Sequence, residues 1–273
     1  MQFLFKRLYI TAFCLMIMSC VAAQNTDTLI YRSQSVRSVG FGFPTVNYSL
    51  LSSLNYSGHS LSFHSTRFRE KLEHLTQFQI HSELGILYNN ANDSYVTTLC
   101  FNGGWSRHWQ IADRARTLRL LPGAAASTGV DVYLKDDNTN NPAAYFYNLS
   151  LCPSLLLKYR FNIEKTQFEL GQQVDIPFFS LVSSSEYSSI LPIGIAEEDA
   201  NFFDAMRVVS FGSLRKCVTI TTLDIMPSQE QRQKWPVVRV SYMFSGLNYN
   251  NGDFVIKSAG HLIFFGAIFH LFR

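Results

Sequence analysis

Between Ala143 and Phe161 apolar and polar side chains take turns almost without a break. Tyr145, Tyr147, Leu149, Leu151, Pro153, Leu155, Leu157, Tyr159 and Phe161 fall on one side of an extended chain. Asn148, Ser150, Cys152, Ser154, Lys158 and Arg160 fall on the other. A side-chain period of two is that of a β-strand. The stretch is long for an ordinary sheet, whose strands average about 5–6 residues. It has the length to cross a bilayer at a tilt, which takes roughly 9–11 residues plus flanks. Its aromatics gather at both ends, where a membrane strand meets the headgroups. The segment predicts an all-β chain of the antiparallel, up-and-down transmembrane β-barrel class.

Other segments repeat the pattern. Phe78, Ile80, Leu84, Ile86 and Tyr88 oppose Gln77, Gln79, His81, Glu83 and Gly85. Tyr95, Thr97, Leu99, Phe101 and Trp105 oppose Thr98, Cys100, Asn102, Ser106 and His108. Leu118, Leu120, Ala124, Ala126, Val130 and Val132 oppose Arg119, Ser127 and Asp131. Phe168, Leu170, Val174 and Ile176 oppose Gln167, Glu169, Gln173 and Asp175, and Val238, Val240 and Tyr242 oppose Arg239 and Ser241. Short connections (112–114 and 162–165) take turns with long polar ones (89–94, 135–141, 180–205 and 248–260). Barrels of this class place tight turns on one side and longer loops on the other. The strands then fall near 31–43, 58–68, 76–88, 95–111, 117–134, 144–161, 166–178, 208–225, 236–247 and 260–272. That is about ten, with eight to twelve compatible. Pro122, Pro153 and Pro177 lie inside these segments, where a lost ladder donor calls for a bulge. Gly40, Gly42, Gly103 and Gly104 read as strand glycines beside lipid or at a bulge, since no helix follows them.

The N-terminus reads as a secretory signal over residues 1–23, followed by one β-barrel domain over 24–273. Lys6 and Arg7 precede an apolar run, and Val21-Ala22-Ala23 is a small-residue cleavage site before Gln24. The alternative is a lipobox, Ile17-Met18-Ser19-Cys20, with Cys20 lipidated. The chain carries 16% charged residues, against about 25% in soluble domains, and 14% aromatics. That composition suits a wall facing lipid. A net charge of +3, two of whose positives lie in the signal, implies no nucleic-acid partner. Cys100, Cys152 and Cys217 are too few and too scattered for a disulfide framework or a zinc site.

The C-terminal run from His261 to Arg273 resembles the last strand of outer-membrane barrels, which the barrel assembly machinery reads. Leu51-Ser52-Ser53-Leu54-Asn55-Tyr56-Ser57-Gly58 resembles the L-S-P-L-x-Y-x-G signature of an uncharacterised family of exported Bacteroidetes proteins, with Ser53 in place of the proline. The resemblance implies an exported outer-membrane barrel in contact with outer-membrane lipid, and no assigned activity.

Candidate chemistry lies on the polar face. Gln79, His81, Glu83, Arg119, Asp131, Lys158, Arg160, Glu169, Gln173, Asp175 and Arg239 form the expected polar network of the lumen. Charges enclosed there must be paired. The plainer reading is a salt-bridged plug, because a wide aqueous channel takes roughly 16–18 strands; the sharper one is a narrow path for small solutes. His81 and Glu83, with Ser60 and Ser62 on the preceding strand, are the candidates for a hydrolase acting on lipid or peptide. No G-x-S-x-G, H-E-x-x-H or cofactor motif accompanies them. Glu197, Glu198, Asp199 and Asp204 make the longest loop acidic, and residues 196–206 fit a short amphipathic helix bearing Phe202 and Phe203. That loop reads as inert or as a site for a divalent cation or surface ligand. The sequence thus supports three functions: an envelope component or narrow channel, a barrel hydrolase, and a secreted soluble barrel holding an apolar ligand.

Overall fold

The longest strand, Ala143–Ile163, sets the pattern for the whole wall. In the computed structural model its odd-numbered side chains point outward, with Leu149, Leu151 and Leu155 at 41%, 51% and 44% exposure. Its even-numbered side chains are enclosed, Asn148 and Ser150 at 1% and Ser154 at 6%. The structure describes residues 32–71, 73–89, 91, 94–114, 117–135, 143–185, 206–227, 237–252 and 254–270. The proposed signal segment, the alternative at Cys20 and the acidic stretch with Phe202 and Phe203 lie outside them.

Thirteen strand segments follow one another: β1 (Arg32–Tyr48), β2 (Tyr56–Glu70), β3 (His74–Asn89), β4 (Ser94–Trp109), β5 (Ala112–Arg114), β6 (Leu118–Lys135), β7 (Ala143–Ile163), β8 (Thr166–Asp175), β9 (Phe179–Ser184), β10 (Arg207–Ser210), β11 (Leu214–Met226), β12 (Val237–Asn250) and β13 (Val255–His270). Every pairing is antiparallel. β5 continues the line of β4, β9 that of β8, and β10 leads into β11, so the segments make ten barrel strands. β1 pairs with β13 and β6 pairs with β7, which closes the sheet on itself, with only the short β5 and β10 paired on one side among the described residues. The chain is therefore a closed antiparallel barrel of ten strands.

The outward face is apolar all the way round. Val39, Phe41, Leu61, Phe63, Phe78, Ile80, Phe101, Trp105, Leu170, Val238, Ile263 and Phe265 are all exposed. Soluble monomers rarely expose contiguous apolar patches beyond a few hundred Å². From Phe78 to Tyr88 on β3, at about 3.3 Å per residue and a tilt of about 40°, the band is about 25 Å tall, the height of a transmembrane barrel's lipid-facing belt. A soluble barrel holding an apolar ligand needs the reverse arrangement.

The prolines need no extra bulge of their own. Ile176 donates to the Pro153 carbonyl and Phe178 to that of Leu151, so odd residues of β7 face β8 and β9. Pro153 thus aims its donorless nitrogen at the break between β8 and β9, where Pro177 sits. Arg160 donates to Thr117, so odd residues of β6 face β7. Pro122 therefore turns its nitrogen to the break between β4 and β5. Pro44 lies on β1 where the ladder to β2 skips from Gly42↔Ser60 to Thr45↔Ser57. Pro122 and Pro153 thus lose their donors where the partner register slips by one residue, and Pro44 where the β2 ladder is interrupted without a slip.

Three expectations need correction. β1 runs past Pro44 to Tyr48, and β13 begins at Val255, so the 248–260 loop shrinks to a tight connection at 251–254. The strand expected over 166–178 extends to Ser184 across the break at Pro177. Gly40 and Gly42 face the lumen and not lipid: a Cβ on Gly40 would enter the Phe264 ring, and one on Gly42 would press on Ser60 and Leu262. They are bare because those side chains fill the interior beside them.

Candidate functional site

The lumen holds the chain's enclosed polar side chains, and it is layered from one mouth to the other. At the loop-side mouth, Tyr48, Leu87, Val96, Tyr133, Phe146, Leu214, Tyr249, Phe254 and Ile256 form one buried apolar cluster. Leu50, Leu51 and Tyr56 join it, and Leu54 packs against it. The β1–β2 connection is held over the mouth by local bonds. Leu51 N and Ser52 N donate to the Tyr48 carbonyl at 2.9 and 3.0 Å. Asn47 Nδ2 donates to Asn55 Oδ1 at 2.8 Å. Tyr48 and Tyr133 meet edge to face at 5.6 Å, and the Tyr56 hydroxyl reaches Ser94 at 3.0 Å.

Below this cluster lies a cavity of about 150 Å³. Its lining includes Gln79, His81, Glu83, Cys100, Asn102 and Asp131 on β3, β4 and β6, with Lys216, Ile220 and Met243 on β11 and β12 and Asp175 at the end of β8. Glu83, Cys100 and Asp131 are brought together by register, Glu83↔Cys100 and Cys100↔Asp131. Lys216 donates to Asn148 at 3.1 Å. Gln173 donates to both oxygens of Asp175 at 3.2 and 2.9 Å, and Ser154 donates to the same carboxylate. His108 bonds the Ser154 hydroxyl at 2.8 Å.

Toward the turn side the charges pair. Lys158 Nζ lies 2.9 Å from Glu169, and Arg160 Nε donates to the other oxygen of that carboxylate. Arg239 grips Asp224 through two bonds of 2.5 and 2.6 Å and stacks over Phe68. Arg119 donates to Glu70, and to Gln110 at 3.0 and 2.7 Å. Two small apolar clusters finish this end, one of Val36, Met226, Val237 and Ile268 and the other of Leu75, Leu121 and Leu156. Bidentate, enclosed pairs of this kind hold neighbouring strands in one register.

All eleven residues singled out from sequence lie on the inward face. Gln79, His81, Glu83, Asp131 and Asp175 meet around the cavity. Gln173 lies alongside through Asp175, while Arg119, Lys158, Arg160, Glu169 and Arg239 belong to the ion-pair layer. His81 and Glu83 approach only to 3.9 Å, and His81 Nε2 has no hydrogen-bond partner. Ser62 stands opposite Glu83 in register, but its hydroxyl is also without a partner. Instead His81 and His64 both set their rings edge-on to Phe264. A nucleophile, a base and an orienting carboxylate in hydrogen-bond reach are not assembled here.

Residues 8–273 match the family described as "Protein of unknown function (DUF3316)". The chain belongs to this family. No curated protein matches it in sequence. Among solved structures it is similar to the outer membrane protease OmpT of Escherichia coli, with a TM-score of 0.52, 9% identity, and coverage of 90% of this chain and 99% of that one. It is also similar to the translocator domain of the autotransporter NalP of Neisseria meningitidis (TM-score 0.45, 8% identity, 97% and 96% coverage). A third is the attachment invasion locus protein Ail of Yersinia pestis (TM-score 0.32, 10% identity, 87% and 99% coverage). At 9% identity the likeness to the protease is one of fold. This DUF3316 chain thus has the fold of an outer-membrane-type barrel.

Sequence reasoning missed two parts of the site. Of the acids that hold Arg239 and Arg119, Asp224 lies where neither face of 217–225 is clearly polar, and Glu70 lies beyond the strand expected to end at 68. The apolar mouth carries no polar signal in the sequence; its residues share the inward parity of polar neighbours, Tyr133 that of Asp131 and Phe146 that of Asn148.

Proposed function

We propose that this chain is an outer-membrane barrel with a filled lumen, serving as an envelope component and not as an open pore. The observation that carries this is the layering of the interior. An aromatic and aliphatic cluster closes the loop-side mouth, and a layer of ion pairs closes the turn side. Between them lies a cavity of about 150 Å³, with a second of about 40 Å³ among the ion pairs beside Lys158, Glu169 and Arg239, together room for a handful of waters. The apolar belt supports residence in outer-membrane lipid. A signal segment at 1–23 would export the chain, the turn side would face the periplasm, and the assembly machinery would read the strand ending near His270.

Purified protein reconstituted in planar bilayers gives no steady unit conductance in molar KCl. The same preparation migrates faster on gels unboiled than boiled, as a closed barrel does. A persistent single-channel step in the parent protein contradicts the filled lumen, and recovery of the folded chain in a soluble periplasmic fraction contradicts the membrane placement.

A further inference from the structure

Every carboxylate on the described strands whose side chain is described faces the lumen, whereas the outward wall carries cations. Four of these gather toward the turn side of β1, β2 and β4. Arg37 shares its face with exposed Val39, and Arg67 and Arg69 share theirs with exposed Phe63. Arg107 shares the face of Trp105 and lies over the Trp109 ring at 5.7 Å. Register sets them side by side. Arg69 stands opposite Ser33 on one side and Thr76 on the other, and Thr76 stands opposite Arg107. Arg67 faces Ser35, and Arg37 faces Ser65. The corner is therefore a lattice of guanidinium and hydroxyl donors directly beneath an aromatic wall. Two of those donors, Ser33 Oγ and Arg107 Nε, are enclosed and without an acceptor. Of the nearby acids, Glu70 turns inward to Arg119 and Glu73 stands in the β2–β3 connection.

We propose that this corner binds the phosphate headgroup of an anionic phospholipid, with the acyl chains lying against Phe63, Phe78 and Trp105. The inference rests on the membrane placement proposed above. Several guanidiniums beside a low-dielectric wall repel one another unless an anion sits among them. A phosphodiester accepts from the planar forks of several arginines and from hydroxyls at once. A zwitterionic headgroup brings its own cation and cancels part of the attraction. Aromatic side chains at the same height mark the interface where headgroups lie.

Trp105 and Trp109 flank Arg107 and report on the corner directly. Trp235 is the third tryptophan of the chain, so a Trp235→Phe background isolates the pair. The protein is reconstituted in phosphatidylcholine bilayers containing increasing fractions of either brominated phosphatidylglycerol or brominated phosphatidylcholine. Brominated phosphatidylglycerol is expected to quench at about fivefold lower fraction, the advantage of one basic residue at an anionic surface. Molar salt and the triple variant Arg67→Gln, Arg69→Gln, Arg107→Gln both erase the preference. Equal quenching by the two lipids in the parent overturns the site but leaves the membrane placement standing. Quenching by neither overturns the placement itself, and the site with it. The parent comparison does not depend on any variant folding, and heat-modifiable migration checks the triple variant.

Discussion

Glu169→Leu lowers barrel stability by about 3–5 kcal/mol, the cost of removing one partner from an enclosed ion pair. Glu169 is 6% exposed and holds two cations, Lys158 at 2.9 Å and Arg160 through its second oxygen. The variant removes the acid that Lys158 and Arg160 share inside a narrow lumen. The penalty is the desolvation of charges left behind, not the loss of an attraction. It follows that Lys158→Met and Arg160→Met, added to Glu169→Leu, recover most of the stability, because an apolar layer of similar volume replaces the pair. Urea titration of vesicle-folded protein reads both effects. A Glu169→Leu midpoint equal to the parent's shows that water reaches Lys158 and Arg160, and the turn side is then open.

Leu151→Arg is expected to cost about 2–4 kcal/mol, the penalty for a cation near the middle of a lipid-facing barrel wall. Leu151 is 51% exposed on the outward face of β7, and in a soluble protein an arginine at so exposed a position is nearly neutral. The measurement therefore separates the two environments. Refolding yield and urea midpoint in bilayers fall for Leu151→Arg. A variant as stable as the parent places Leu151 in water.

The wall was legible in the sequence because its cause is local. Lipid on one face and a polar interior on the other impose a period of two on every residue from Ala143 to Arg160, and no tertiary detail is needed to see it. Strand number was legible for the same reason, since short and long connections alternate. Ends were not. β1 continues past Pro44 because its ladder to β2 resumes there and runs on to Val46 while that to β13 runs on to Tyr48, which is a property of the pairing and not of either strand. The interior was legible as a list but not as a network. Nothing local says that Arg160 meets Glu169 and not Asp175; the β7–β8 register decides it. The mouth was hidden for a different reason. Tyr48, Tyr133, Phe146 and Tyr249 look like interfacial aromatics in one dimension, and only parity carried to the strand ends turns them inward.

Odd positions of β7 meet hydrocarbon and even positions meet a filled interior. With the native cysteines replaced, single nitroxide labels from residue 145 to 161 test it through collision with oxygen and with a water-soluble nickel chelate. Labels at 149, 151, 153, 155 and 157 should collide freely with oxygen and hardly at all with nickel, while labels at 148, 150, 152 and 154 should be shielded from both. Nickel access at the odd positions, or an oxygen profile without a period of two, contradicts the account.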